Sequence, residues 1–277
     1  MIWAMLTVVF YAITAYGDKY ISVRLKCSPG EYTFLVSSAT VLWLLICLPF
    51  TGWNMQLKTQ SLFLLVFLVI WKVLEFYTTA VLLKTMEPYE LKAWLGINVV
   101  LSYGINLWEG RSRMQISMFV FALALIIGIY LIVTSQKGKK ISKSITVCLL
   151  YIFSKFMYGV HMGDMSSYGN STTVLIIVLS IVALLQLPKL RMKVIPKKKE
   201  LAAAAMSRLT NAAGLITEAE AAVTNIYFYT LIQPLQLFVL FVISILTKSS
   251  MNRKKRVGSV LCVAAVLMMT IAFGNDI

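Results

Sequence analysis

Lys72 and Glu75 stand three residues apart inside "VIWKVLEFYTTAVLL" (residues 69–83), a run otherwise made of aliphatic, aromatic and threonine side chains. On a helix this spacing puts both groups on one face, where they can pair. A charge inside a membrane-spanning helix costs roughly 2.5–3.5 kcal/mol, so such residues turn toward the bundle interior or toward water. The pair therefore either locks helices together or lines a polar cavity that receives a solute, and the cavity reading is the one taken forward. Lys155 lies inside another apolar run and joins it on the same grounds, although its long stem also allows it to snorkel. Arg208 has the same two options, since it can reach a basic membrane face.

A wider set of polar residues surrounds these. Asp18 with Lys19, Glu87, Glu90 with Lys92, and Asp164 fall near the ends of apolar runs and read as solvated helix ends or inter-helix pairs. Asp18, His161, Glu218 and Glu220 are gating or proton-coupling candidates, the last two because a short apolar connector follows them. Trp71, Tyr77, Trp94, Tyr103 and Tyr158 interleave with the charges, and their rings can hold a cation or stack on a flat solute. The competing reading, a belt of Trp and Tyr at the membrane interface, suffices for Tyr89 and Tyr227. Asn98, Asn211 and Gln233 add neutral hydrogen-bonding groups, with Asn106 and Gln236 beside them. Pro234 removes a backbone donor within its helix. The substrate-binding candidates are thus Lys72, Glu75, Lys155, Trp71, Tyr77, Trp94, Asn98, Tyr103, Tyr158, Asn211 and Gln233.

The elements that position these residues follow from composition. The 277 residues are 59% hydrophobic and only 13% charged, with a mean hydropathy of +0.81. Soluble domains carry about a quarter charged residues, so the chain is expected to be an all-α integral membrane protein. A span needs roughly 20 apolar residues, and ten runs qualify: 2–20, 32–50, 61–83, 88–107, 115–134, 142–162, 172–187, 200–222, 226–247 and 256–273. The eighth, "LAAAAMSRLTNAAGLITEAEAA", is rich in small residues and is expected to pack closely in the interior. The first has no leading Lys or Arg and reads as a retained helix rather than a cleaved signal.

The same composition excludes several chemistries. Four scattered cysteines and a single histidine give no disulfide or metal framework. There is no GxSxG elbow, Walker loop or His-rich motif, so neither enzymatic activity nor a cofactor is expected. The net charge of +15 sits in short loops between apolar runs, where it anchors topology and contacts anionic lipid rather than nucleic acid. Lys and Arg concentrate after the first, fifth, seventh and ninth spans; by the positive-inside rule those loops are cytoplasmic and both termini lie outside.

The chain also repeats itself weakly at about half its length. "AYGDKY" (15–20) resembles "MYGVHM" (157–162), "CLPF" (47–50) echoes "QLPKL" (186–190), and "LWEGRSRMQISMFVFALALIIGIYLI" (107–132) lines up with "LTKSSMNRKKRVGSVLCVAAVLMMTI" (246–271). Two five-span copies, 1–138 and 139–277, then cross the membrane in opposite senses, as inverted repeats of secondary transporters do. In this doubled five-helix pattern, with "LWEGRSR" after the fourth span and "FALALIIGIYLI" in the fifth, the chain resembles the drug/metabolite transporter superfamily, nearest its prokaryotic EamA-like branch. The resemblance implies alternating access and a central cavity lined mainly by the third, fourth, eighth and ninth helices. It also implies gating by the first and sixth, a prokaryotic cytoplasmic membrane, and cytoplasmic termini, the opposite of the charge count. Lys248 stands where that family often has Glu.

The expected function is a secondary transporter for a small polar metabolite, zwitterionic or anionic and amino-acid-like. A nucleotide-sugar or other phosphorylated-metabolite transporter remains open if Lys72, Lys155 and Arg208 converge. So does a non-transporting scaffold or lipid-scrambling subunit.

Overall fold

The computed structural model describes residues 2–108, 110, 113–135, 141–190, 198–224, 232–247 and 252–274, and among these every element of regular structure is helical. In chain order they are α1 (Ile2–Lys19), continued by a π-helical turn (Tyr20–Arg24), α2 (Pro29–Thr51), α3 (Thr59–Leu83), α4 (Pro88–Leu95), α5 (Ile97–Trp108) and α6 (Ile116–Thr134). Then follow α7 (Ile141–Met165), α8 (Ser171–Gln186) with a short 3₁₀ turn, α9 (Lys198–Thr224), α10 (Ile232–Leu246) and α11 (Arg253–Gly274). Five of these are long and apolar enough to cross a membrane: α2, α3, α6, α11 and α7 from Ile145 on. That composition fits an integral membrane protein.

The expected fourth span, 88–107, is present as two pieces. Its helix breaks at Gly96, where α11 crosses so closely that an added Cβ would meet the Val266 side chain at 2.6 Å. Only a residue without a side chain fits there. The tenth span begins at Arg253 rather than 256, so "RKKR" is the first turn of a helix and not a loop. Helix starts follow local chemistry. Ser28 accepts from the Glu31 amide while Glu31 accepts from the Ser28 amide, with Pro29 in the first turn, which satisfies donors that a helix start leaves open. Asn170 and Asn252 cap α8 and α11 by accepting from Thr173 N and Lys255 N.

Helix neighbours form four dominant pairs, α1 with α9, α3 with α7, α2 with α8, and α6 with α11; α4 also packs on α10, α2 on α9 and α3 on α8. Close approach in the α6–α11 pair needs Gly128 and Gly258, since a Cβ at either would fall 2.6–2.8 Å from the other's carbonyl oxygen. Short loops sort onto two faces. Lys19, at the end of α1, donates to Met86 O, at the end of α3, and Asn252 donates to Ser135 O after α6. On the opposite face, the loop after α2 pairs with the one after α7, through Gln56 N to Tyr168 O at 2.6 Å and Asn170 N to Asn54 O at 3.1 Å. Hence α1 and α7 run in opposite directions.

Two large apolar bodies fill the bundle, with a small third one of Ala4, Val8 and Ile232 between α1 and α10. One joins Leu125 and Ile129 of α6, Cys262 and Val266 of α11, Leu240 of α10, and Trp94. The other joins Leu44, Leu68, Phe76, Val178 and Ala212 across α2, α3, α8 and α9. Helices α3 and α7 contribute to both, as does α1 together with its π-helical turn, and they also carry much of the interior charge.

Candidate functional site

The α3 helix turns Leu65, Leu68, Lys72, Glu75, Phe76 and Thr79 inward. That is a helical stripe with two charges set into it. Lys72 Nζ donates to Glu75 Oε2 at 2.9 Å, and both side chains are only 8% exposed. Lys155 of α7 donates to the other carboxylate oxygen, Glu75 Oε1, at 3.0 Å. One carboxylate therefore bridges two ammonium groups across the α3–α7 interface, and the triad carries a net charge of +1. Rings hold the deeper base: Lys72 Nζ lies 3.9 Å from the centroid of Tyr158 and 5.3 Å from that of Phe76, within the range of cation–π attraction. Lys155, though enclosed by protein, keeps 26% of its side-chain surface accessible. The triad is therefore open to the accessible surface through Lys155 alone, Lys72 and Glu75 being buried.

A second cluster ties α1, α2 and α9. Asp18 Oδ1 pairs with Arg208 at 2.8 Å and accepts from Tyr32 OH at 2.7 Å. Arg208 is 1% exposed and adds weaker bonds to Thr14 O and Ser207 Oγ, both at 3.3 Å. Glu218 of α9 accepts from Tyr11 of α1. Lys92 lies within electrostatic reach of Lys155, Asp18, Glu75 and Glu218, so five helices direct charge toward one region. At one face two further pairs join helix ends: Lys19 with Glu87 at 3.4 Å, and Lys255 with the buried Glu90 at 2.5 Å.

Of the sequence candidates, Lys72, Glu75, Lys155 and Tyr158 come together, and Asp18 and Glu218 lie in the same electrostatic neighbourhood. Asn211 reaches Thr40 Oγ1 at 3.2 Å, while the buried Asn98 Oδ1 and both polar atoms of Gln236 have no hydrogen-bond partner. The remaining aromatics lie elsewhere. Trp71 stacks edge-on against Phe153 at 5.5 Å and faces His161 at 6.5 Å, on a seam flanked by the exposed Phe67 and Ile70. Consecutive residues on a helix diverge by about 100°, which carries Trp71 away from Lys72. Tyr77 is exposed and Trp94 is packed in the apolar body around α6. Tyr103 OH donates to Arg113 O and accepts from Gln115 N, both at 2.8 Å, and so staples the α5–α6 connection. His161 Nδ1 approaches Met157 O of its own helix at 2.7 Å. The side chains of Glu220, Gln233, Pro234 and Asn106, and residues Tyr227 and Tyr229, lie outside the described residues.

Tyr32, Tyr11 and Tyr151, all near these charges, were not identified by the sequence. Tyr32 begins a different helix from Asp18, and no spacing rule links the two. Lys255 reads in the sequence as a loop anchor, yet it is the ion-pair partner of Glu90. Among the described residues no group of His, Cys, Asp and Glu is arranged to hold a metal. No protein-family model and no curated protein sequence matches this chain.

Proposed function

We propose that the chain is a secondary transporter of the drug/metabolite transporter type, moving a small anionic or zwitterionic metabolite by alternating access. The observation that carries this reading is the Lys72–Glu75–Lys155 triad, a charged site set between α3 and α7 in which Lys155 keeps part of its surface accessible. A scaffold has no use for an excess cation in its interior, because burying it is costly. A solute site does, since the same cost becomes attraction for an incoming anion in a low dielectric.

Helix packing supports the doubled architecture. With α4 and α5 taken as one rod, the ten described rods divide into two sets of five, and exchanging the sets exchanges five of the observed packing relations. The α1–α9 pair becomes α7–α3, the α2–α9 pair becomes α8–α3, and α2–α8, α4–α10 and α6–α11 map onto themselves. The opposed directions of α1 and α7 agree with inverted copies. Within transport, three lysines and an arginine against three carboxylates favour an acidic or phosphorylated solute over a lipophilic cation. A nucleotide-sugar is a member of that acidic class.

The test is a thermal-shift screen of metabolites on the detergent-purified protein, because a ligand that binds the folded state raises its stability. Flux measurements in proteoliposomes follow for each compound that does so. Saturable uptake of a stabilising acidic metabolite is the expected result. Stabilisation confined to lipophilic cations, or no solute flux alongside rapid lipid scrambling, would overturn the reading.

A further inference from the structure

Lys92 stands apart from the other interior charges. It occupies the second turn of α4, the half-helix that ends at Gly96, and it is surrounded by protein while remaining partly accessible. Its charged neighbours come from four other helices: Asp18, Glu75, Lys155 and Glu218. Each of those carboxylates is already engaged. Asp18 is held by Arg208 and Tyr32, Glu75 by Lys72 and Lys155, and Glu218 by Tyr11. No ion pair or hydrogen bond of the Lys92 side chain exists among the described residues. Lys92 therefore does not form the inter-helix pair that its position allowed, and its side chain stays partly accessible.

The charge balance gives the same result. Lys72, Lys92, Lys155 and Arg208 supply four positive charges against three from Asp18, Glu75 and Glu218, an excess of one within this cluster. An unpaired ammonium group in a protein interior is expensive, and its cost falls when a mobile anion completes the set.

We propose that Lys92 is the docking point for the acidic group of the transported solute, a carboxylate or a phosphate ester carrying one negative charge. This inference rests on the transport reading and adds the residue that recognises the charge. Lys72 and Lys155 hold Glu75 and one another's positions, whereas Lys92 has its N–H groups free to donate to a carboxylate or phosphate oxygen. Arrival of a solute of net charge −1 neutralises this cluster, so the occupied site can cross between access states with no excess charge.

The experiment compares the parent with Lys92→Gln and Lys92→Arg in detergent, adding inorganic phosphate in one arm and acetate in the other, against chloride at matched ionic strength. In the absence of either anion, Lys92→Gln is expected to melt at the parent's temperature or above it, because no partner is lost. Phosphate or acetate should raise the melting temperature of the parent. Lys92→Gln should weaken the apparent affinity of that anion at least tenfold, and Lys92→Arg should keep most of it. A response to phosphate alone assigns a phosphate ester, and a response to acetate alone a carboxylate. The inference fails if Lys92→Gln melts clearly below the parent without anion, if the anion stabilises Lys92→Gln as strongly as the parent, or if neither anion stabilises the parent. Equal saturable uptake by the parent and Lys92→Gln would remove this inference and leave transport standing. Anion stabilisation lost in Lys92→Gln, with no solute flux in the parent, would keep the docking residue and remove transport.

Discussion

Glu75→Gln removes the one negative charge shared by two buried bases. In the parent, Lys72 and Lys155 donate to its two oxygens at 2.9 and 3.0 Å, and the triad carries a charge of +1. The amide leaves +2, with two ammonium groups converging on a neutral acceptor. Removing one partner of a buried ion pair costs about 3–5 kcal/mol. The lower end is expected here, because Lys155 retains 26% of its side-chain surface and can turn toward water. Lys72 cannot, being 8% exposed and held over Tyr158. Adding Lys72→Met returns the triad to +1 and puts an apolar side chain against the Tyr158 ring. The double variant should therefore recover all but about 1–2 kcal/mol, the two changes being strongly non-additive as contacting residues are. Thermal unfolding of detergent-purified protein, followed by intrinsic fluorescence with monodispersity checked by gel filtration, measures both. A Glu75→Gln protein that melts with the parent, or a double variant no more stable than the single, would refute the electrostatic account of the triad.

Other outcomes follow from the same geometry. Lys155→Gln should destabilise by less than Glu75→Gln in the same melting assay, since Glu75 keeps Lys72. Asp18→Asn leaves Arg208 buried with only Thr14 O and Ser207 and should cost about 3–5 kcal/mol, whereas Tyr32→Phe removes one hydrogen bond to the Asp18 carboxylate and should cost about 1.5–3 kcal/mol. Gly258→Val drives a side chain into the Gly128 carbonyl and should lower stability by about 1–3 kcal/mol or more, read as a lower melting temperature or loss of monodisperse protein. For topology, Lys26→Cys and Ser167→Cys in a Cys47→Ser background should differ toward a membrane-impermeant thiol reagent in intact cells. The positive-inside bias predicts that only the cysteine at 167 reacts, and reaction only at 26 would restore the orientation implied by the family resemblance.

The helices were largely legible from apolar run length, because a span is set by membrane thickness and needs no tertiary information. Their breaks were not. The fourth span is interrupted at Gly96, where α11 passes closely, and an approach between residues 170 positions apart leaves no local mark. Lys72, Glu75 and Lys155 were found because a charge within an apolar run is costly wherever the helix goes. The partner of Lys155 was hidden, since pairing across α3 and α7 depends on how the two helices rotate about their axes. Rotation also explains Trp71: adjacency to Lys72 in sequence puts it on a neighbouring face, against Phe153. Lys92 looked like an end-of-span residue by position, and only the engagement of every nearby carboxylate singles it out.

The central claim is that Lys72, Glu75 and Lys155 form a solute site that faces each side of the membrane in turn. Counterflow measures this most directly: proteoliposomes loaded with unlabelled solute from the thermal-shift screen are diluted into a trace of the same compound carrying a radiolabel. Alternating access predicts transient accumulation of label by the parent and none by the folded Lys72→Met, Glu75→Gln protein. Accumulation by that variant at the parent's rate, or simple equilibration without an overshoot in the parent, would contradict it.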